Sequence, residues 1–471
     1  MLPILLISPI AQTTPTPPPP EEIVIPQEIR PLPGRLDSVP VFNSNSPEKV
    51  INEGILLSTF PSAGKKNPEA HLNFPFNGRF DVFAHHVFGA PSSSPLADNL
   101  RSLYVGIILH NPGKKPVTVS VLQGASYLSQ PDAPFIELPS FALNTENNVY
   151  AGPGSRVMSD VLRGLRQNNF PQQIVIAPGK YQMLQNAPIP VQGLTPPLNG
   201  RSTYARLRSN GTLYIASLAT PARTNTDGTE RAPTIEEWRN ILDNGELSTP
   251  RDIPPTPLDQ PGLRKYGRVA GVARGSYWRA LLTDNPKTRF LTIPQPGQVI
   301  SYGLSTLHGG TLGTNQIQSA PMLVRYPDTA YVAHGNYGVQ YNLKLPLYNN
   351  TKNVQTVSLS IQTPLKEDQL SKKGLRFFAT PARPTFFRGT VRVTYRDDLG
   401  KAQSSYIHLV QKRGQPGESL VALPIRPGQR RLVEVNFLYP PDATPPQVLT
   451  IQTLDGTKPP IPSIQPNPIN Q

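Results

Sequence analysis

The sequence predicts an all-β protein: two immunoglobulin-like antiparallel β-sandwich domains with a few short helices and long proline-rich loops. Three observations carry this expectation. Proline makes up 57 of 471 residues, against a usual ~5%. A proline inside a helix costs ~3 kcal/mol, so this density argues against a helical bundle. Short runs rich in β-branched residues alternate with clusters of Gly, Pro, Asn and Asp, the pattern of strands and turns. One strand–turn–strand segment also recurs. Residues 109–121 (LHNPGKKPVTVSV) align without a gap on 347–359 (LYNNTKNVQTVSL), sharing Leu109/Leu347, Asn111/Asn349, Lys114/Lys352, Thr118/Thr356, Val119/Val357 and Ser120/Ser358.

Taken in order, the chain begins with an apolar run, 1–10 (MLPILLISPI), ending at Ala11-Gln12. It reads as a signal-peptide remnant cut after Ala11, although the basic n-region is missing and the first Arg is Arg30. A frayed apolar tail is the other reading. Residues 13–20 (TTPTPPPP) form a polyproline II spacer. The first sandwich is expected over 21–222, a connecting segment with a short helix over 223–300, the second sandwich over 301–453, and a disordered proline-rich tail over 454–471. Within the first unit, 205–218 (ARLRSNGTLYIASL) reads as a hairpin, with Asn210-Gly211 supplying a type I′ turn. Two further pairs repeat in the same order: 80–85 with 329–334, and 174–180 (IVIAPGK) with 423–429 (LPIRPGQ). Helices are expected at 155–165, with Val157, Val161, Leu162 and Leu165 on one stripe, and at 234–242. The second carries a capping box, Thr234 with Glu237, and Gly245 ends it. Both are expected over the ends of the sheets.

The residues that could carry chemistry are few. There is no cysteine, so thiolate nucleophiles, disulfides and Cys-based zinc sites are excluded. His85-His86 is the one adjacent histidine pair. Neighbours on a strand face opposite sides, so they read as structural, and His85 and His334 occupy matching places in the repeat. The acid pairs Glu236-Glu237, Glu367-Asp368 and Asp397-Asp398 are too close in sequence to face each other as a glycosidase pair. The first suits a helix start, and Asp397-Asp398-Leu399-Gly400 a hairpin turn. Residues 308–313 (HGGTLG) faintly resemble an esterase oxyanion loop, but no G-x-S-x-G or P-loop accompanies them. No catalytic residue, metal ligand or cofactor is predicted. No further segment reaches the ~18–20 apolar residues of a membrane span.

Charge is more informative. The net charge is +14, and residues 366–413 carry eleven Lys/Arg against four Asp/Glu. In 387–396 (FRGTVRVTYR), Arg388, Arg392 and Arg396 fall on one strand face, ~13 Å apart at ~3.3 Å per residue. Lys401 lies past the turn, and Lys372 and Lys373 lie upstream. These six form a candidate surface for an anionic polymer. The competing reading is a solvated face whose charges block edge-to-edge aggregation. Aromatic residues do not interleave on the basic face, which favours a glycan over nucleic acid.

Four stretches carry a resemblance: 27–41 (QEIRPLPGRLDSVPV), 54–62 (GILLSTFPS), 70–86 (AHLNFPFNGRFDVFAHH) and 174–180. From about Gln27 onward the chain resembles an exported cyanobacterial family catalogued as a domain of unknown function. The resemblance implies a periplasmic or extracellular location and transfers no functional residues. The expected function is a non-enzymatic envelope protein, binding or structural, that contacts anionic cell-wall or extracellular polysaccharide. The alternative is a glycan-active hydrolase whose carboxylates, such as Asp81 or Asp160, converge only in the fold.

Overall fold

A computed structural model describes residues 20–89 and 100–455. The expected signal remnant, most of the proline spacer and the tail beyond 455 lie outside the described residues. Among the described residues the fold is all-β, with 46% in strands and two short α-helices. Two β-sandwiches share the chain.

In the first sandwich, one layer runs in the order Gln173–Ile176, Val117–Leu128, Leu198–Pro221, Phe76–Gly89, Pro40–Ser44, Ala270–Arg274 and Ala320–Arg325. The facing layer holds Tyr181–Ile189, Leu103–His110, the second half of Leu198–Pro221, and Gly54–Ser58. Phe42, Phe80, Val82, Ile107, Leu109 and Leu207 are fully buried between the layers. In the second sandwich, Phe141–Leu143, Ala402–Lys412, Thr385–Arg396, Arg430–Leu438, Gln340–Tyr348, Tyr277–Leu281 and Arg35–Leu36 form one sheet. Glu28–Arg30, Val299–Leu304, Gln447–Thr453, Gln355–Gln362 and Ser419–Ile425 form the other. Most pairs are antiparallel, but Pro40–Ser44 runs parallel to Phe76–Gly89, and Tyr277–Leu281 parallel to Gln340–Tyr348.

The expected hairpin at Asn210-Gly211 is absent. Leu198–Pro221 is one 24-residue strand that pairs Phe76–Gly89 with its first half and Leu103–His110 with its second. The register breaks between Ser209 and Leu213, so the strand turns a corner from one layer into the other. Asn210 accepts a hydrogen bond from the Thr118 amide at 2.8 Å. Gly211 avoids a clash instead of supplying a positive φ: a Cβ there would lie 2.7 Å from Val117 Cγ2.

The strand–turn–strand repeat has the same bonding in both sandwiches. Asn111 is fully buried; its Nδ2 donates to the carbonyls of Lys115 (2.7 Å) and Ile176 (2.9 Å), and its Oδ1 accepts from Gly113 N at 2.8 Å. Asn349 is also fully buried; it donates to Asn353 and Ile425 at 2.8 Å each and accepts from Thr351 N at 2.9 Å. The turns at 174–180 and 423–429 match as well, with Gly179 and Gly428 at φ +68° and +69°. The pair 80–85 and 329–334 does not match. The first lies inside the strand Phe76–Gly89, the second in a turn that ends in the two-residue strand Val332–Ala333.

Strand pairing crosses the sequence ranges 21–222 and 301–453. Glu22–Ile25 pairs with Leu375–Phe378, Glu28–Arg30 with Val299–Leu304, and Arg35–Leu36 with Tyr277–Leu281, so residues 22–36 belong to the second sandwich. Ala270–Arg274 and Ala320–Arg325 extend a sheet of the first. Sheet edges left open expose unpaired backbone groups, and distant segments cover them here.

Helix α1 (Pro153–Leu162) is not over a sheet end. Val157, Met158, Val161 and Leu162 pack on Phe83, Ala125 and Tyr204 of the first sandwich and on Leu438 of the second. The close approach needs Gly154, where a Cβ would lie 2.2 Å from Pro441. Helix α2 (Ile235–Asn244) has the expected capping box, and Trp238, Ile241 and Leu242 are buried. Beneath α1, Asp81 is wholly buried. Its carboxylate pairs with Arg79 and accepts from Ser276 Oγ. It also accepts from the Tyr204 hydroxyl at 2.6 Å, and that same oxygen sits 2.9 Å from the Gly338 carbonyl.

Two outcomes follow for stability. Asn111→Ala and Asn349→Ala should each cost about 1–3 kcal/mol, because carbonyls and an amide lose their partner in a buried turn. Urea midpoints that move for one variant alone would break the structural equivalence. Asp81→Ala should cost about 3–5 kcal/mol, as expected when one member of a buried ion pair is removed.

Candidate functional site

The six cations expected on one surface are divided by the fold. Arg388, Arg392 and Arg396 do share a face of Thr385–Arg396, whose other face buries Phe387, Val391 and Val393. Between the first two, however, Thr390 is buried, 3.1 Å from Asn144 Nδ2 and 3.4 Å from His408 Nδ1. Arg388 is half-buried, with its guanidinium 5.2 Å from the Phe135 ring centroid and its Nε closed to water without a partner. Lys372 and Lys373 are exposed on a loop leading into Leu375–Phe378, which packs on Val448 of the opposite sheet. Lys401 is exposed at the hairpin turn. What remains together is a groove of about 490 Å³ lined by Arg392, Arg396, Ser404, Arg430 and Glu434. Arg430, missed in the sequence, enters from the neighbouring strand, which pairs with Thr385–Arg396.

Other expected motifs have structural partners. Asp368 accepts from the Gly309 and Thr311 amides at 3.0 and 3.1 Å, so the amides of the esterase-like loop are already occupied. Asp160 accepts from the Tyr127 hydroxyl at 2.6 Å, and Glu237 closes the cap of α2. Asp397 accepts from the Leu399 and Lys401 amides within the predicted hairpin turn. His86 is buried between Ser44 Oγ (2.9 Å) and the Pro47 carbonyl (2.8 Å), and burial pulls its ring down to about 4.

A second place was not anticipated. A cavity of about 390 Å³ lies between the two sandwiches. Its walls come from Asn43, Asn45, Glu48, His85, 266–269, Leu307, 333–337, Lys366 and 441–445. The exposed residues Gly267, Arg268 and Thr444 stand on its rim. His85 and His334, read as repeat equivalents, instead meet on this one cavity. Asn43, on the strand Pro40–Ser44, and Asn45, just past its end, both reach it.

Its ionisable groups are unevenly satisfied. Glu48 Oε2 accepts from Arg268 Nε at 2.7 Å, and Oε1 lies 3.7 Å from His85 Nε2. His85 and then Arg268 hold the Glu48 carboxyl at about 2, against the opposing effect of burial. His85 Nδ1 lies 2.8 Å from Ser202 Oγ, but Ser202 is wholly buried and offers no accessible nucleophile. Asp442 is different. Its Oδ2 is closed to water without a partner, and burial raises its carboxyl; Arg388 and His85 oppose this, and Glu48 adds to it. Burial lowers His334 to about 4, helped by His308 and Lys366, and its Nδ1 is also without a partner. Lys366 donates to the Tyr266 hydroxyl, and burial draws its amine down to about 8. Among the described residues, no group of three or more His, Asp and Glu is placed to hold a metal ion.

The Glu48 carboxyl sits below its ordinary value of 4.5 in the folded state. Its contribution to stability is therefore present above about 4.5 and is lost as pH falls toward about 2. Glu48→Gln should flatten that part of the acid-unfolding curve and lower the melting temperature at pH 7. A superimposable curve would mean that the Arg268 and His85 contacts do not act on stability.

Comparison with solved structures adds little. Lac15 from a marine microbial metagenome is 10% identical, with 81% of this chain and 54% of that chain covered, and a TM-score of 0.10. The chain thus spans about half the length of that protein. The Macrobrachium rosenbergii nodavirus structure is 8% identical, covering 97% of both chains at a TM-score of 0.13. The coconut allergen cocosin is 11% identical, covering 88% and 87% at a TM-score of 0.09. No curated protein matches. A family match does span the sandwiches, the cavity and the groove together, from residue 27 to residue 453: the chain belongs to the family described as "Protein of unknown function (DUF3370)".

Proposed function

We propose that this protein is a non-enzymatic component of the cell envelope, exported to the periplasm or the cell exterior, that contacts an anionic polysaccharide. The apolar leader with its proline spacer supports export, and no helix among the described residues is long and apolar enough to cross a membrane. The observation that carries the binding reading is the groove where Arg392, Arg396 and Arg430 meet. Its arginines stand on paired strands, so their backbones are already fixed when a polymer docks. Charge at a solvated surface acts through screened attraction, so affinity should fall as salt rises.

A second reading, a glycan hydrolase, is favoured by one observation. Glu48 and Asp442 line one cavity, and their surroundings push their protonation in opposite directions. Such a separation is how acid and base roles are divided between two carboxyls.

Retention of the purified protein on immobilised alginate should be salt-sensitive. The double variant Arg392→Ala with Arg396→Ala should weaken it about tenfold while stability stays within ~0.5 kcal/mol. Equal retention by the variant would return the groove to a merely solvated surface. Release of reducing ends from envelope polysaccharide, abolished by Asp442→Asn, would instead install the hydrolase reading.

A further inference from the structure

The cavity between the sandwiches collects polar groups that the protein itself does not satisfy. Asn43 and Asn45 are 3% and 9% exposed, and the Oδ1 of each is buried without a hydrogen-bond partner. His334 Nδ1 and Asp442 Oδ2 are in the same condition. All four residues line one cavity. Buried polar atoms are paired in more than ~90% of cases; other unpartnered atoms are scattered among the described residues, whereas these four gather around one space. The groups come from both sandwiches and from the segment joining them, so no local relaxation of one strand can pair them. Reversing either carboxamide exchanges its oxygen and nitrogen, so each Asn can present a donor or an acceptor to the space.

The charge around the space selects the occupant. Glu48 is neutralised by Arg268 at the rim. Lys366 disfavours a cation, and Asp442 disfavours an anion. A ligand that both donates and accepts hydrogen bonds without net charge meets every wall. Tyr337 and Ala443 supply apolar surface, while the Tyr266 ring is already taken, its centroid 4.7 Å from that of His334 and 4.1 Å from Lys366 Nζ. A volume of about 390 Å³ is within the ~300–1,000 Å³ usual for small-molecule pockets.

We propose that this cavity binds an uncharged, polyhydroxylated ring, a neutral pyranose unit, through Asn43, Asn45, His334 and Asp442. The site is separate from the arginine groove, and binding here requires neither that groove nor bond cleavage.

The test uses the full chain and the methyl glycosides of glucose, galactose, mannose and N-acetylglucosamine, observed by ligand-detected NMR. At least one should bind with a Kd of about 1 mM or tighter. The variant Asn43→Ala with Asn45→Ala should lose that binding at least tenfold. Its melting temperature should be unchanged or higher, because the deleted amides leave no native partner behind. Arg392→Ala with Arg396→Ala should leave glycoside binding untouched, which keeps failure of the groove distinct from failure of the cavity. Three results would each overturn the proposal. In one, no glycoside binds at about 10 mM, so the space holds water only. In another, glucuronate or glucosamine outcompetes the neutral glycosides. In the third, the Asn variant melts several degrees lower with binding intact, which assigns the amides to the scaffold.

Discussion

The buried carboxylate of Asp81 fixes how the two halves of this protein meet. It lies on Phe76–Gly89 in the first sandwich and binds Ser276, which precedes the strand Tyr277–Leu281 of the second. A buried charge left without partners is far more costly than one fully hydrogen-bonded. Arg79, Tyr204 and Ser276 together supply those partners in the folded protein. Tyr204 then reaches the Gly338 carbonyl, where φ is +84° and a Cβ would lie 2.2 Å from the Tyr204 ring. Only glycine serves there.

Around that network the chain passes repeatedly between the sandwiches. Residues 22–36 join the second, 40–89 and 100–133 the first, and the later segments alternate. Helix α1 fills the space between, with one sheet on each side. The walls of the cavity come from seven separate stretches of chain, so it exists only once the halves have docked. Its unsatisfied amides and carboxyl are thus a property of the assembled molecule.

The two candidate surfaces differ in kind. The arginine groove is open and positive, with charges that water screens, and it suits a long, weakly held polymer. The cavity is small, balanced in charge and lined in part by polar groups without a protein partner, and it suits a compact ligand held by hydrogen bonds. Ser202 is buried beneath His85 and the amides of the Gly309 loop are taken by Asp368. The acyl-transfer chemistry that a glycine-rich loop can suggest has no support in this arrangement.

Local physics was legible in the residues themselves. Proline density set the all-β class, Thr234 and Glu237 marked the start of α2, Asp397 to Gly400 marked a turn, and Asn111 and Asn349 marked a repeated corner whose bonds recur atom for atom. Each of these depends on neighbours within a few positions or on one conserved turn geometry. The long bent strand was misread as a hairpin because Asn-Gly favours a turn only when nothing else claims it, and here Thr118 does. The basic face was legible as alternation along one strand, but not its interruption at Thr390, which comes from Asn144. Tertiary structure alone decided which sandwich received residues 22–36, and that Glu48, His85, His334, Lys366 and Asp442 share one space. Pairing across hundreds of residues is set by edge coverage and burial; alternation shows that a strand face is covered, but not which distant segment covers it.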